Sequence, residues 1–565
     1  MRNFTAIMNS FTLSSTRGKQ NLRQLYLRDG DFVYESLRFR FAAISTRTSE
    51  EALLYVDIPA DTIPDFAPDE AAVCADFLLR TLAPPLNALS GSWQNDRKPA
   101  SEKGAVTAQI CGAQVMRRSG CLWSGERNAF VLKLFLRFPL LNGTWINAKA
   151  GIKTVQAALM CILDALRALD RDALARHRRT YADQLAVRAW MCDHAVVAFV
   201  ADGSILPRAG GTDRPLAGAV PFASPESLRV TVPLPGGRSI TGMAVGQGIT
   251  VITGGGYSGK STLLDALELG VYHHIPGDGR EFCLCDATAL KIYAEDGRPV
   301  QDLDLSPFFR CLPGGTELTD FSTAHASGSV SQAANILEAV CAGARLLLID
   351  EDKSATNFMI RDRQMRRVVK REPIIPFTDR VRQLHTEEGV STILVIGGSS
   401  EYLTYADRVI LMEDYVAHDI TADIATLNLP APICEAAPAA WPHHRRLVPR
   451  ETHQPFLYFR AVETENEKKI ILDDYTADIT ALTALTSADQ LSTLAYLAEQ
   501  MLTDLAADDA ELIDKLAQLI ERTFTADRLC INSLLPIAAG RQYVEVRPLD
   551  AVCCINRLRG AKFSR

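Results

Sequence analysis

No apolar run in this 565-residue chain approaches the roughly 18 residues that a membrane-crossing helix needs. No membrane partner is therefore expected. The 13 cysteines contain no C-x-x-C pair. Cys283/Cys285 and Cys553/Cys554 are the only close pairs, and neither has histidine or cysteine partners at zinc-finger spacing. The expectation is buried free thiols in a reducing compartment. Positive charge is not in excess either: 60 Lys and Arg stand against 67 Asp and Glu, a net charge of -7. Nothing global draws nucleic acid, so any such binding must come from a local basic patch. Residues 1–28 lack acid altogether and carry Arg2, Arg17, Lys19, Arg23 and Arg28 among hydroxyl residues. That composition fits a mitochondrial transit segment and equally a basic tail. A mitochondrial matrix location is the first expectation, a cytoplasmic one the alternative.

What is present is a globular composition, 47% hydrophobic and 22% charged, in a chain long enough for about three or four domains. The pattern suggests a possible transit segment over 1–28, an α+β domain over 29–200, a nucleotide domain over 201–430 and a mainly helical domain over 431–565. Strands are expected at Phe32–Tyr34, Leu37–Ala43 and Ala129–Phe138, with helices over 70–90 and 151–191. Residues 203–225 are irregular and rich in Gly and Pro. They fit a linker, or a functional loop in which Ser204, Arg208 and Arg214 face an anion. A hairpin is expected at Pro235-Gly236-Gly237-Arg238.

The chain is organised around Gly254-Gly255-Gly256-Tyr257-Ser258-Gly259-Lys260-Ser261-Thr262, which reads G-x-x-x-x-G-K-S. Ile249, Val251 and Ile252 precede it as a strand, and Leu263, Leu264, Ala266, Leu267 and Leu269 follow at helical spacing. Glycines let backbone N–H groups curl around phosphates, and the helix N-terminus adds a favourable dipole. Lys260 would reach the β- and γ-phosphates, and the Ser261 hydroxyl would sit on Mg²⁺.

Such a loop needs a partner carboxylate. Leu346-Leu347-Leu348-Ile349 is a buried strand ending in Asp350-Glu351. Asp350 would hold Mg²⁺ through water, and Glu351 would orient or deprotonate the attacking water. Upstream, Ser327-Gly328-Ser329 opens a helix and is a second anion site.

This set of motifs resembles the ABC-type ATPases. GDGREF at 277–282, ILPR at 205–208, DRPL at 213–216, VPFASPESLRV at 220–230, SATNFMIRD at 354–362 and INRLRG at 555–560 narrow the resemblance. They are similar to the predicted ABC-class ATPases that act without a membrane domain. The likeness runs from about 110 to 560 and is densest over 198–412. It implies an α/β P-loop ABC-type ATPase core with ATP and Mg²⁺ as cofactors. It also implies a homodimer in which Ser327, Gly328 and Ser329 of one copy meet the phosphate loop of the other. A kinetoplastid mitochondrial member is associated with RNA editing, which implies RNA and a larger RNA-processing complex as partners.

Three departures matter. The switch position, where the family carries histidine, reads Ile396-Gly397-Gly398-Ser399-Ser400, so γ-phosphate sensing falls to Ser399, Ser400 or backbone. No aromatic lies about 25 residues before Lys260, so base stacking is not evident, and ATP over GTP rests on resemblance. Ser306-Pro307-Phe308-Phe309 stands where a glutamine loop would run.

Residues 361–371 read RDRQMRRVVKR. On one helix, Arg363, Arg366, Arg367, Lys370 and Arg371 would form a continuous positive face for RNA, or only a solvated face. The C-terminal Arg557, Arg559 and Lys562 would extend it. Two other functions stay open: a nucleotide-gated RNA scaffold with little turnover, and a P-loop small-molecule kinase.

Overall fold

The computed structural model describes residues 4–6, 31–43, 50–94, 104–142, 145–312, 315–369, 371–427, 429, 440–443, 445–450, 459–464, 467–503, 511–525 and 541–564. The basic residues expected of a transit segment lie outside these, as does Lys370. Among the described residues no helix is long and apolar enough to cross a membrane.

The chain forms two compact units, Met1–Arg179 with Leu519–Glu545, and Thr180–Gln518 with Val546–Arg565. The first holds an antiparallel sheet in the order Phe32–Tyr34, Leu37–Ala43, Glu51–Pro59, Ala129–Arg137, Ala105–Ala108. Its helices Ala71–Gln94 and Ala148–Arg167 match the apolar spacing of the sequence.

The second unit carries the nucleotide motifs on a six-stranded sheet. Its strands are β1 (Ile249–Gly254), β2 (Leu290–Ile292), β3 (Leu346–Asp350), β4 (Ser391–Val395), β5 (Arg408–Glu413) and β6 (Val416–Asp419). Their order is β2-β3-β4-β1-β5-β6, parallel except for the β5–β6 hairpin. Ile249, Val251, Leu346, Leu347, Leu348, Ile349, Ile393 and Leu394 are almost wholly buried. Strands covered on both faces need such continuous apolar runs. Asp350 pairs with Val395 across β3 and β4, and Ile252 with Val395 across β1 and β4. The C-terminal ends of β1, β3 and β4 therefore lie side by side, where ligands collect in parallel sheets.

A second, antiparallel sheet contains the expected hairpin, with Arg229–Leu234 paired to Arg238–Gly246. Beyond residue 430 the chain is less helical than expected: it includes the three-stranded sheet Phe459–Thr464, Glu467–Leu472, Tyr475–Asp478. Nor is the end of the chain a separate body. Arg446–Val448 pairs with Lys562–Ser564, and Arg445 donates to the carbonyls of Gln301 (2.7 Å) and Asp302 (3.2 Å). Cys283, Cys285 and Cys554 are buried free thiols, and burial pushes each up to about 12.

Candidate functional site

The phosphate loop follows from backbone geometry. Gly254 has φ 146°, and a Cβ there would lie 2.2 Å from the Met412 carbonyl oxygen, so only glycine fits. Gly259 has φ 99° and caps the helix α1 (Lys260–Leu269). Gly255 and Gly256 face open space. The buried Ser258 Oγ has no hydrogen-bond partner among the described residues. A hydroxyl left unsatisfied inside a glycine loop, next to two open glycines, fits a loop built for an oxyanion ligand. Lys260 Nζ donates to the carbonyls of Gly254 (2.8 Å) and Gly255 (2.6 Å), which holds the ammonium across the loop. Tyr257 projects fully into solvent in the left-handed region, φ 59°.

The Ser261 hydroxyl lies near the Asp350 carboxylate, whose Oδ1 accepts from the backbone N–H of Asp352 (3.2 Å). Burial pushes the Asp350 carboxyl above its ordinary value, against that hydrogen bond. A buried carboxylate near a hydroxyl suits a hard cation with oxygen ligands.

Glu351 is placed by the loop after β4. Its Oε2 accepts from the backbone N–H of Gly397 (2.7 Å) and Gly398 (3.0 Å). Its Oε1 makes no hydrogen bond among the described residues. The switch loop without histidine thus touches the carboxylate through backbone rather than through Ser399 or Ser400.

Ser327 is the N-cap of α2 (Gly328–Cys341), which begins with Gly328 and Ser329. Among the described residues no hydrogen bond joins these three to the phosphate loop. They are instead tied to the Asp350 segment by Gln332, a residue whose role the sequence did not show. Gln332 is fully buried, accepts from Ala355 N (2.8 Å) and donates to Ser354 Oγ (3.0 Å). Ser354 Oγ in turn donates to the Asp350 carbonyl (2.8 Å).

The C-terminal arginines brace the same turn. Arg559 donates to the carbonyls of Ala324 (2.6 Å) and Gly297 (2.7 Å), and the buried Arg557 bonds Glu295 (3.1 Å). These two do not extend a basic patch, because their guanidinium groups are spent on internal acceptors.

Three further expectations change. The basic helix spans only Arg363–Val368, so Arg371 is off its register. The chain leaves the helix because Arg310 N bonds the Pro373 carbonyl (2.8 Å) and Ile375 N bonds that of Phe308 (2.8 Å). Arg366 turns inward, with two bonds to the buried Asp379 at 2.8 and 2.7 Å, while Arg367 and Arg371 stay exposed. Phe308 belongs to an aromatic cluster with Phe358, Phe377 and Trp441, which is packing rather than a glutamine-loop role. Arg208 is held by Asp278 (2.8 Å) and Ser204 is buried, so these two of the three residues expected at an anion in 203–225 are committed elsewhere.

Over 204 residues the chain is 31% identical to the uncharacterized protein MJ1628 of Methanocaldococcus jannaschii. That alignment covers 35% of this chain and 44% of the relative, less than half its length. Among solved structures, cbiO1 from Clostridium perfringens, part of the ABC transporter complex cbiONQ, aligns at 13% identity and a TM-score of 0.26, covering 41% of this chain and 92% of that one. MJ1267 in its ADP conformation, an ATP-binding cassette of an ABC transporter, aligns at 12% identity and a TM-score of 0.23, covering 35% and 93%. Residues 170–440 match the ABC_ATPase family, a P-loop domain. Lys260, Ser261, Ser327, Asp350, Glu351 and Gly397 all fall inside that matched stretch.

Proposed function

We propose that this chain binds ATP with Mg²⁺ at the phosphate loop and hydrolyses the terminal phosphate in a sandwich of two copies. The observation that carries this is the position of Glu351, with Oε2 pinned by two backbone N–H groups and Oε1 without a hydrogen bond among the described residues. A pinned carboxylate with one free oxygen is suited to orient a water and take its proton. Ser261 and Asp350 would hold Mg²⁺, which supplies charge neutralisation at the phosphate oxygens. Lys260 and the N–H groups of the glycine loop bind and orient the phosphates. Ser327 to Ser329, at the N-terminus of the 14-residue helix α2, would complete the site of a second copy. The test is equilibrium binding and Mg²⁺-dependent phosphate release, with sedimentation in the presence and absence of ATP. Lys260→Ala should lower affinity at least tenfold, and ATP should drive monomer to dimer. ATP-dependent turnover by a strict monomer would overturn the sandwich.

RNA as a partner is a second reading, favoured by a cavity of about 510 Å³ in the second unit. Arg310, Arg361, Arg366, Arg371 and Glu372 line it, with Arg366 paired to Asp379 and Arg361 to Glu372, and Arg371 exposed at its edge. An arginine-lined cavity suits a phosphate backbone, with binding that weakens as salt rises. On this reading nucleotide state is coupled to RNA binding, in mitochondrial RNA processing. Salt-dependent binding of a single-stranded RNA by the full chain tests it.

A further inference from the structure

An apolar cavity of about 310 Å³ opens beside the phosphate loop. Gly259 and Thr262 lie on its wall, while Ser261 and Asp350 do not. It therefore adjoins the phosphate loop and the first turn of α1, within reach of the nucleoside part of a nucleotide whose phosphates lie in the loop. The rest of the wall includes Leu206, Leu216, Val220, Phe222, Met412 and Tyr415. Three of these remain exposed although large and apolar: Leu216 at 43%, Val220 at 48% and Tyr415 at 56%. An exposed apolar group at the edge of a polar site marks a ligand surface.

Two features show that this wall is built. The loop over 203–222 is folded on itself by bonds from Gly203 N to Phe222 O (2.8 Å), Phe222 N to Ser204 O (2.8 Å) and Leu216 N to Pro207 O (2.9 Å). Tyr415 sits in the tight β5–β6 turn after Asp414, both in the left-handed region at φ 68° and 47°. That turn favours Asn-Gly, and a bulky residue there is strained. The strained backbone holds the ring against the phosphate loop: Tyr415 Cδ1 lies 3.3 Å from where a Cβ of Gly259 would be.

We propose that this cavity holds the purine base of the nucleotide, with Tyr415 as its stacking platform and Phe222 and the 206–222 loop as its far wall. The proposal rests on the phosphate-loop reading above. It also sets specificity. Among the described residues, the polar side-chain groups in the lining are the hydroxyls of Thr262 and Tyr415. Without an amide, carboxylate or imidazole to read the base edge, the site selects a purine by shape and stacking, and discriminates weakly between adenine and guanine.

The test measures affinities of the full chain, with Mg²⁺, for ATP, GTP and inorganic tripolyphosphate. ATP and GTP should bind within about tenfold of each other. Tyr415→Ala should weaken ATP and GTP by about tenfold or more and leave tripolyphosphate unchanged, while Tyr415→Phe retains base affinity. Val220→Glu, on the opposite wall, should do the same as Tyr415→Ala without touching the strained turn. Base affinity unchanged in both Tyr415→Ala and Val220→Glu would overturn the cavity proposal alone, as would GTP binding more than a hundredfold weaker than ATP. Failure of wild type to bind even tripolyphosphate would overturn the phosphate-loop reading, and the cavity proposal with it.

Discussion

Glu351 Oε2 and the backbone N–H of Gly397 are 2.7 Å apart, so the end of β3 and the loop after β4 share one charge-assisted hydrogen bond. Gly398 N adds a second at 3.0 Å. A loop lacking histidine can position a carboxylate in this way with no side chain at all. Gly397→Pro deletes the shorter donor. Phosphate release should fall by about tenfold or more, with ATP affinity changed less than threefold, since the bond acts on the base and not on the phosphates. Steady-state turnover beside equilibrium binding checks the split.

Gln332→Leu keeps the volume and removes the link between α2 and the Asp350 segment. It leaves the half-buried Ala355 N without its acceptor and removes one of the two bonds of Ser354 Oγ, so stability should fall by about 1–3 kcal/mol in urea unfolding. ATP-driven association of two copies should weaken as well, because the turn at Ser327-Gly328 loses its tie to the nucleotide carboxylates.

Glu295 provides a pH test. Burial disfavours its charge, but Arg557 and Arg298 outweigh burial and hold its pKa down at about 2. A depressed carboxylate contributes stability that is complete above its unfolded value near 4.5 and lost as pH falls from there toward 2. The slope is about 1.4 kcal/mol per pH unit at most. Glu295→Gln should be less stable than wild type at pH 7, with the difference shrinking between pH 4.5 and 2 in thermal unfolding.

The arginines separate into two classes. Arg366→Ala leaves the buried Asp379 uncompensated and should cost about 3 kcal/mol or more of stability. Arg367→Ala and Arg371→Ala, both exposed, should change stability by less than about 0.5 kcal/mol. If RNA binds here, each exposed change should lower the salt slope by about 0.7. An unaltered slope would leave these arginines as a solvated surface.

The phosphate loop, the β3 carboxylates and the helix after Ser327 were legible in the sequence because each is local. Glycine spacing, a β-branched run and an apolar period of 3.6 all act within about ten residues. What was missed is non-local. Tyr415 meets Gly259 only because β5 runs beside β1, with Gly254 opposite Met412. The basic helix fails beyond Val368 because residues 373–375 pair with 308–310, a contact no periodicity announces. Arg557 and Arg559 read as surface charge until the fold set Glu295 and the Ala324 carbonyl against them. The segment after residue 430 is drawn into the second unit by the pairing of Arg446–Val448 with the last strand.

The central claim is that Glu351 takes the proton of the attacking water. Its most direct test is phosphate release by Glu351→Gln, measured with ATP and Mg²⁺ at saturating concentration. Loss of at least a hundredfold in turnover, with ATP still bound and the two-copy state prolonged, is the predicted result. Phosphate release at the wild-type rate would contradict it.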